Sequence, residues 1–85
     1  MKTIIYSKQA LKFLTKINRA EAEKIVQKID QYASNPSELK NQVKKLRGVP
    51  FYRLRIGDYR VVFDENGIIL NIIKIDNRGN VYKEL

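Results

Sequence analysis

Residues 51–63, "FYRLRIGDYRVVF", constrain the fold of this chain more than any other stretch. Gly57-Asp58 suits a two-residue hairpin turn with glycine in the first position. With that turn, Ile56 faces Tyr59, Arg55 faces Arg60, Leu54 faces Val61 and Arg53 faces Val62. Side chains alternate between the two faces of a sheet. Tyr52, Leu54, Ile56, Tyr59, Val61 and Phe63 therefore share an apolar face that needs a cover, and Arg53, Arg55 and Arg60 share the other. Like charges directly opposite each other destabilise a sheet by a few tenths to about 1 kcal/mol. An anion held between Arg55 and Arg60 reverses the sign of that effect, and the planar fork of arginine grips phosphate oxygens two at a time. The plainer alternative is a solvated face whose charge is offset by Asp58, Asp64 or Glu65.

The rest of the chain supplies the cover and further strands. "TIIY" at residues 3–6 is a short β-branched and aromatic run that reads as a strand. Ser7 follows as a helix cap, with Leu11, Leu14 and Ile17 at helical spacing and Ala10 and Phe13 beside them. Asn18 and Glu21 form a possible capping box for a second helix. Its apolar stripe is Ala22, Ile25, Val26, Ile29, Tyr32 and Ala33, and Pro36 ends it. Residues 38–50, "ELKNQVKKLRGVP", are the most basic stretch, with Lys40, Lys44, Lys45 and Arg47, and read as a loop or short helical turn. Asn66-Gly67 signals a second hairpin turn. "IILNIIKI" (68–75) is apolar on both faces, as a central buried strand is, and "DNRGNVYKEL" reads as a turn and then a short final strand or tail.

These elements predict a single α+β domain over residues 1–85. It comprises an N-terminal strand and a two-helix hairpin packed on a mainly antiparallel twisted sheet of about four to five strands. A turn at Asn66-Gly67 sets Arg60 across from Ile73. Arg78 then follows just past the end of the sheet where Arg55 and Arg60 sit, with Tyr82 in reach.

Composition narrows the chemistry. The 85 residues contain no cysteine and no histidine, so disulfides, thiolate metal sites and the commonest neutral-pH general base are all excluded. Catalysis, if present, rests on Lys, Arg, Tyr, Asp, Glu or Ser. No apolar run of about 18 residues is present, and the N-terminus does not read as a signal peptide. The lack of cysteine fits a cytoplasmic protein. The net charge of +8 points to a polyanionic or acidic protein partner. It is concentrated in residues 1–49, with 11 basic and 4 acidic residues, against 6 and 5 in residues 50–85.

Taken together, the strand–helix–helix opening, the block "KLRGVPFYRLRIGDYRVVF" and the downstream "IDNRGNVY" resemble the RelE family of bacterial toxins, within the RelE/ParE superfamily of type II toxin–antitoxin systems. The resemblance covers essentially the whole chain. It implies a cytoplasmic, ribosome-dependent endoribonuclease that cuts the mRNA codon in the ribosomal A site, with no metal and no cofactor. Attack of the ribose 2′-OH on its own 3′-phosphate leaves a 2′,3′-cyclic phosphate and a 5′-OH. On this resemblance Arg53 and Arg55 match the family's two strand-borne basic residues, Arg60 its strand arginine, Arg78 the arginine after the long strand and Tyr82 the tyrosine near the C-terminus. Lys45 and Arg47 match the basic approach to the sheet, where Lys40 and Lys44 also lie, so these four are candidates for RNA and ribosome binding. The implied protein partner is an acidic or amphipathic, RelB-like antitoxin. Arginine at 53 and 55, where the family often carries lysine, is a departure: arginine stays charged and is a poor general acid. The competing implication is a ParE-like toxin that inhibits DNA gyrase without a nuclease site.

Overall fold

Ser7 begins the helical layer as expected, its Oγ accepting a hydrogen bond from the Ala10 backbone N–H at 3.0 Å. The computed structural model describes residues 1–82. Strand β1 (Thr3–Tyr6) leads into helices α1 (Lys8–Lys16) and α2 (Arg19–Ser34), followed by a 3-10 segment, Pro36–Gln42. Strands β2 (Val43–Lys45), β3 (Tyr52–Ile56), β4 (Tyr59–Asn66) and β5 (Ile69–Asn77) complete the fold. Asn18 caps α2, its Oδ1 accepting from the Ala20 N–H at 2.8 Å, and the helix stops two residues before Pro36. The five strands form one sheet in the order β1-β5-β4-β3-β2. Only the β1–β5 pairing is parallel.

The apolar stripe of α2 and the hairpin's apolar face meet in one core, which holds Ile25, Ile29, Tyr32 and Ala33 with Leu54, Ile56, Val61, Phe63, Leu70, Ile72 and Ile75. Ala10 is fully buried, and Phe13, Leu14 and Ile17 pack against this core, but Leu11 is 53% exposed and does not belong to the buried face. The region 38–50 is more structured than the sequence suggests. Its 3-10 part buries Leu39, and residues 43–45 form the edge strand β2, with Lys44 opposite Arg53. Three residues at an edge, two of them lysine, carry too little alternation to announce a strand.

The β3–β4 register is as expected, with Ile56 opposite Tyr59 and Arg55 opposite Arg60. The β4–β5 register is not. Asn66 pairs with Ile69, so the turn is Gly67-Ile68 and lies one residue later than Asn66-Gly67. Gly67 takes the positive φ of 59° at the first turn position, as Gly57 does at 57°. A bulge then leaves Ile73 without a ladder partner, between Ile72 opposite Phe63 and Lys74 opposite Val62. Arg60 consequently faces Asp76, not Ile73. The later turn moves each partner by two residues and the bulge by one more. The cause is packing: the bulge lets both Ile72 and Ile75 enter the core. The price is that Lys74 and Asp76 turn to the outer face.

Candidate functional site

Two rows of side chains cross the outer face. One runs Lys44–Arg53–Val62–Lys74 and the other Arg55–Arg60–Asp76. The Arg60 guanidinium is fixed by the β3–β4 turn: its Nη1 donates to the Gly57 carbonyl at 2.8 Å and the Tyr59 carbonyl at 2.9 Å. The Arg78 N–H donates to the Asp58 carbonyl of the same turn at 3.0 Å. That bond anchors the segment after β5, and the N–H groups of Asn80 and Val81 close a turn onto the Asn77 carbonyl. Val81 is fully buried and lies outside the helix-side core, as does Val62 on the outer face. The turn therefore packs over the outer face and brings Tyr82 beside Arg53. Residues beyond Tyr82, where a final strand or tail was expected, lie outside the described residues.

Arg53, Tyr82, Lys44, Lys45, Leu46 and Arg47 line one groove of about 450 Å³. A smaller recess next to it, about 350 Å³, sets Tyr82 against Leu46, Arg47 and Val49. Lys40 is exposed on the 3-10 segment and does not line either space. The electrostatics of Arg60 register the whole cluster. Burial lowers its pKa first, followed by the positive charges of Arg53, Arg78 and Arg55, while Tyr82 acts in the opposite direction. Arginine remains charged throughout the accessible pH range. The five residues Arg53, Arg55, Arg60, Arg78 and Tyr82 are thus within electrostatic reach of one point.

No carboxylate among the described residues neutralises this cluster. The two ion pairs found there are Lys2–Glu65 and Arg19–Glu23. Glu65 stands opposite Leu70, on the helix side of the sheet, where Tyr32 and Lys2 hold it. Asp64 accepts from the Asn66 side chain at 3.0 Å. Asp76, although opposite Arg60, turns back to accept from the Asn77 N–H at 2.7 Å. Arg53 Nε is buried and has no hydrogen-bond partner. Four guanidiniums with unspent donors and no ion pair among the described residues suit a ligand rich in anionic oxygens. Sequence reasoning missed the apolar wall of Leu46 and Val49 beside Tyr82, because a loop's side chains show no periodicity. It also missed Asp76, which reaches this face only through the bulge.

The class that the geometry defines is a small α+β domain with an arginine cluster on the open face of its sheet. The model of the family described as the ParE toxin of type II toxin–antitoxin systems, parDE, matches residues 4–82, so the chain belongs to that family, within the RelE/ParE superfamily. Among solved structures it is similar to a chain of the intact Escherichia coli RelBE toxin–antitoxin complex, with a TM-score of 0.74 and 21% identity over 91% of this chain and 96% of that one. It is also similar to a chain of a RelBE-type toxin–antitoxin complex from Mycobacterium tuberculosis, with a TM-score of 0.70 and 20% identity over 91% and 98%. A chain of the RelB–RelE complex from Methanococcus jannaschii gives 0.67 and 23% over 95% and 98%. No curated protein sequence matches. At these identities the structures establish the RelE-like fold.

Proposed function

We propose that this type II toxin is a ribosome-dependent mRNA endoribonuclease that cuts A-site codons in the cytoplasm and so stops translation. The observation that carries the reading is the clustering of Arg53, Arg78 and Tyr82 around Arg60, with Arg55 opposite it on β3 and no ion pair to a carboxylate among the described residues. In the reaction the ribose 2′-oxygen attacks the adjacent phosphorus. The O2′–P bond forms, the P–O5′ bond breaks, and a 2′,3′-cyclic phosphate and a 5′-hydroxyl result, the leaving oxygen taking its proton from solvent. The barrier lies in the charge that builds on the phosphoryl oxygens and the leaving oxygen, and pre-aligned cationic donors lower it. Arg60, held by the turn carbonyls, is the fixed donor. Arg53 and Arg78 flank it, and Arg55 stabilises the leaving oxygen by charge, since it cannot give up a proton readily. Tyr82, half exposed beside Leu46 and Val49, stacks on a codon base or accepts the 2′-OH proton. Lys44, Lys45 and Arg47 carry flanking phosphates, and Lys40 reaches ribosomal RNA from the 3-10 segment.

The matching family description supports a second reading, inhibition of DNA gyrase by a ParE-type toxin. The fold is common to both, so it does not discriminate. A side-by-side assay does: the purified protein is added to a reconstituted translation reaction and to a gyrase supercoiling reaction. The nuclease reading expects translation to fail and supercoiling to continue; the reverse pattern overturns it. The likeness to toxins in RelBE complexes supports a RelB-like antitoxin as the protein partner.

A further inference from the structure

Asp76 stands directly across from Arg60 in the β4–β5 ladder, so the two side chains rise from the outer face with Cβ atoms about 4.5–5.5 Å apart. The bulge puts it there: without the extra residue at Ile73, the ladder would set Ile75 opposite Arg60 instead. The strand is pinned on both sides of Asp76. Ser7 Oγ donates to the Ile73 carbonyl at 2.7 Å, and the Gln9 side-chain amide bonds both the N–H of Ile75 at 2.9 Å and its carbonyl at 2.8 Å. Beyond Asp76, the Arg78 N–H holds the Asp58 carbonyl. The Asp76 carboxylate is half-buried. Its Oδ1 accepts from the Asn77 N–H at 2.7 Å, and no hydrogen bond or ion pair among the described residues engages Oδ2. The charged groups placed around it are Arg60 on β4, Arg55 beyond it on β3, Lys74 on its own strand and Arg78 after it. No other carboxylate is placed so. Asp64, opposite Asn71, lies four residues along β4 from Arg60, about 13 Å at the rise of a strand, Glu65 is on the helix side, and Asp58 is exposed at the hairpin tip.

A carboxylate and a guanidinium on facing positions ordinarily neutralise each other. Here they do not, because Arg60 is drawn to the turn carbonyls and Asp76 to the Asn77 N–H. Each keeps polar atoms for a ligand, and their spacing suits one reacting unit: a ribose 2′-oxygen poised for attack lies roughly 3–3.5 Å from the phosphorus. We propose that Asp76 is the general base of the cleavage: its Oδ2 takes the 2′-OH proton while Arg60 holds the phosphoryl oxygens. The O2′–H bond breaks as O2′–P forms, the proton passes to Asp76, and Asp76 later returns it to solvent. At neutral pH a carboxylate is ionised and ready to accept a proton, whereas a phenol is still protonated, so the role of Tyr82 becomes that of the stacking platform. This assignment rests on the nuclease reading above.

The test is single-turnover cleavage of a defined mRNA on purified ribosomes by the full-length protein. Asp76→Asn keeps an oxygen for the Asn77 N–H but loses the basic site, and its rate is expected to fall by about a hundredfold or more. Asp64→Asn removes the same charge from the same face and is expected to change the rate by about twofold or less. Equal losses in the two variants mean a general effect of charge, which overturns the proposal. The pH profile gives a second reading that needs no variant. With a carboxylate base the wild-type rate stays level between about pH 6 and pH 9, and in Asp76→Asn it climbs about tenfold per pH unit as hydroxide takes over. A wild-type rate that itself climbs in that way assigns the proton to another group and refutes Asp76. Affinity for the ribosome is expected to shift by about twofold or less in Asp76→Asn; a tenfold loss of affinity with the rate at saturation unchanged makes Asp76 a contact and not the base. Messenger RNA left intact by folded wild type overturns the nuclease reading and this assignment together, whereas cleavage that persists in Asp76→Asn overturns this assignment alone. Thermal melting checks that both variants keep the fold.

Discussion

Arg60 is the residue on which the account turns. Two backbone carbonyls hold its guanidinium, and three more arginines crowd it. Arg60→Ala removes those two bonds but also relieves the repulsion from Arg55. The two effects oppose each other, each worth on the order of 1 kcal/mol, so the melting temperature is expected to change little. Cleavage is expected to fall by about a hundredfold or more, the usual cost of deleting one aligned oxyanion donor. Arg60→Lys keeps the charge but loses the fork, and its rate should lie between the two. An unfolded Arg60→Ala protein would show instead that the residue is structural. Tyr82→Phe separates the roles of its ring and its hydroxyl: unchanged single-turnover cleavage leaves stacking as its contribution, and a loss confined to the chemical step assigns the hydroxyl. The Arg55–Arg60 pairing was legible in the sequence because a two-residue turn fixes register once glycine marks it. The Asp76 position was not, because nothing local distinguishes a bulge at Ile73 from a regular strand.

At the scale of elements, turns and one polar clasp hold the sheet to the helices. Gly57 and Gly67 both sit at positive φ with open space where a Cβ would be, so replacement strains the backbone without a clash. Gly57→Ala is expected to cost about 1–2 kcal/mol in urea unfolding and to loosen the Arg60 anchor with it. The clasp joins α2, β4 and the residue before β1. Tyr32 of α2 donates to Glu65 of β4, and Lys2 pairs with the same carboxylate at 3.3 Å while its Nζ also donates to the Gly67 carbonyl at 2.7 Å. Burial, and then the bond to Glu65, push the Tyr32 pKa well above its ordinary value. The folded protein thus keeps a proton on Tyr32 that the unfolded chain releases near pH 10, so stability is complete below about pH 10 and falls as pH rises beyond it. Tyr6 shifts in the same direction through burial and Asp30. Tyr32→Phe should therefore cost about 1–3 kcal/mol at neutral pH and flatten the alkaline loss measured by urea titration from pH 9 upward; an equally steep loss contradicts this assignment. The helices and their caps were readable from Ser7, Asn18 and the α2 stripe. Strand β2 was not, because three edge residues gain their structure from β3 and not from their own pattern.

Across the whole molecule, the apolar layer lies on the helix side of the sheet and the arginine cluster on the outer face, with basic grooves along its β2–β3 edge. Alternation in "FYRLRIGDYRVVF" already implied this division, and so the fold class and the arginine face could be read before any coordinates. The meeting of Arg78 and Tyr82 with Arg53 could only be bounded by chain reach, since it depends on the Asp58 carbonyl and on the burial of Val81. A face on which cations outnumber carboxylates has a measurable signature. Binding of single-stranded RNA should weaken with salt, with a log–log slope of about −3 if four phosphates are neutralised, and Lys44→Ala/Arg47→Ala should reduce that slope by about half. Filter binding across a salt series tests this; an unchanged slope moves the contact elsewhere. The central claim is that this face holds a scissile mRNA phosphate on the ribosome. Primer extension on a defined mRNA in a purified translation system tests it most directly, with wild type and Arg60→Ala compared with and without ribosomes. The account predicts cuts inside A-site codons that require both ribosomes and Arg60. Intact mRNA with folded wild-type protein, or cuts that persist in Arg60→Ala, would contradict it.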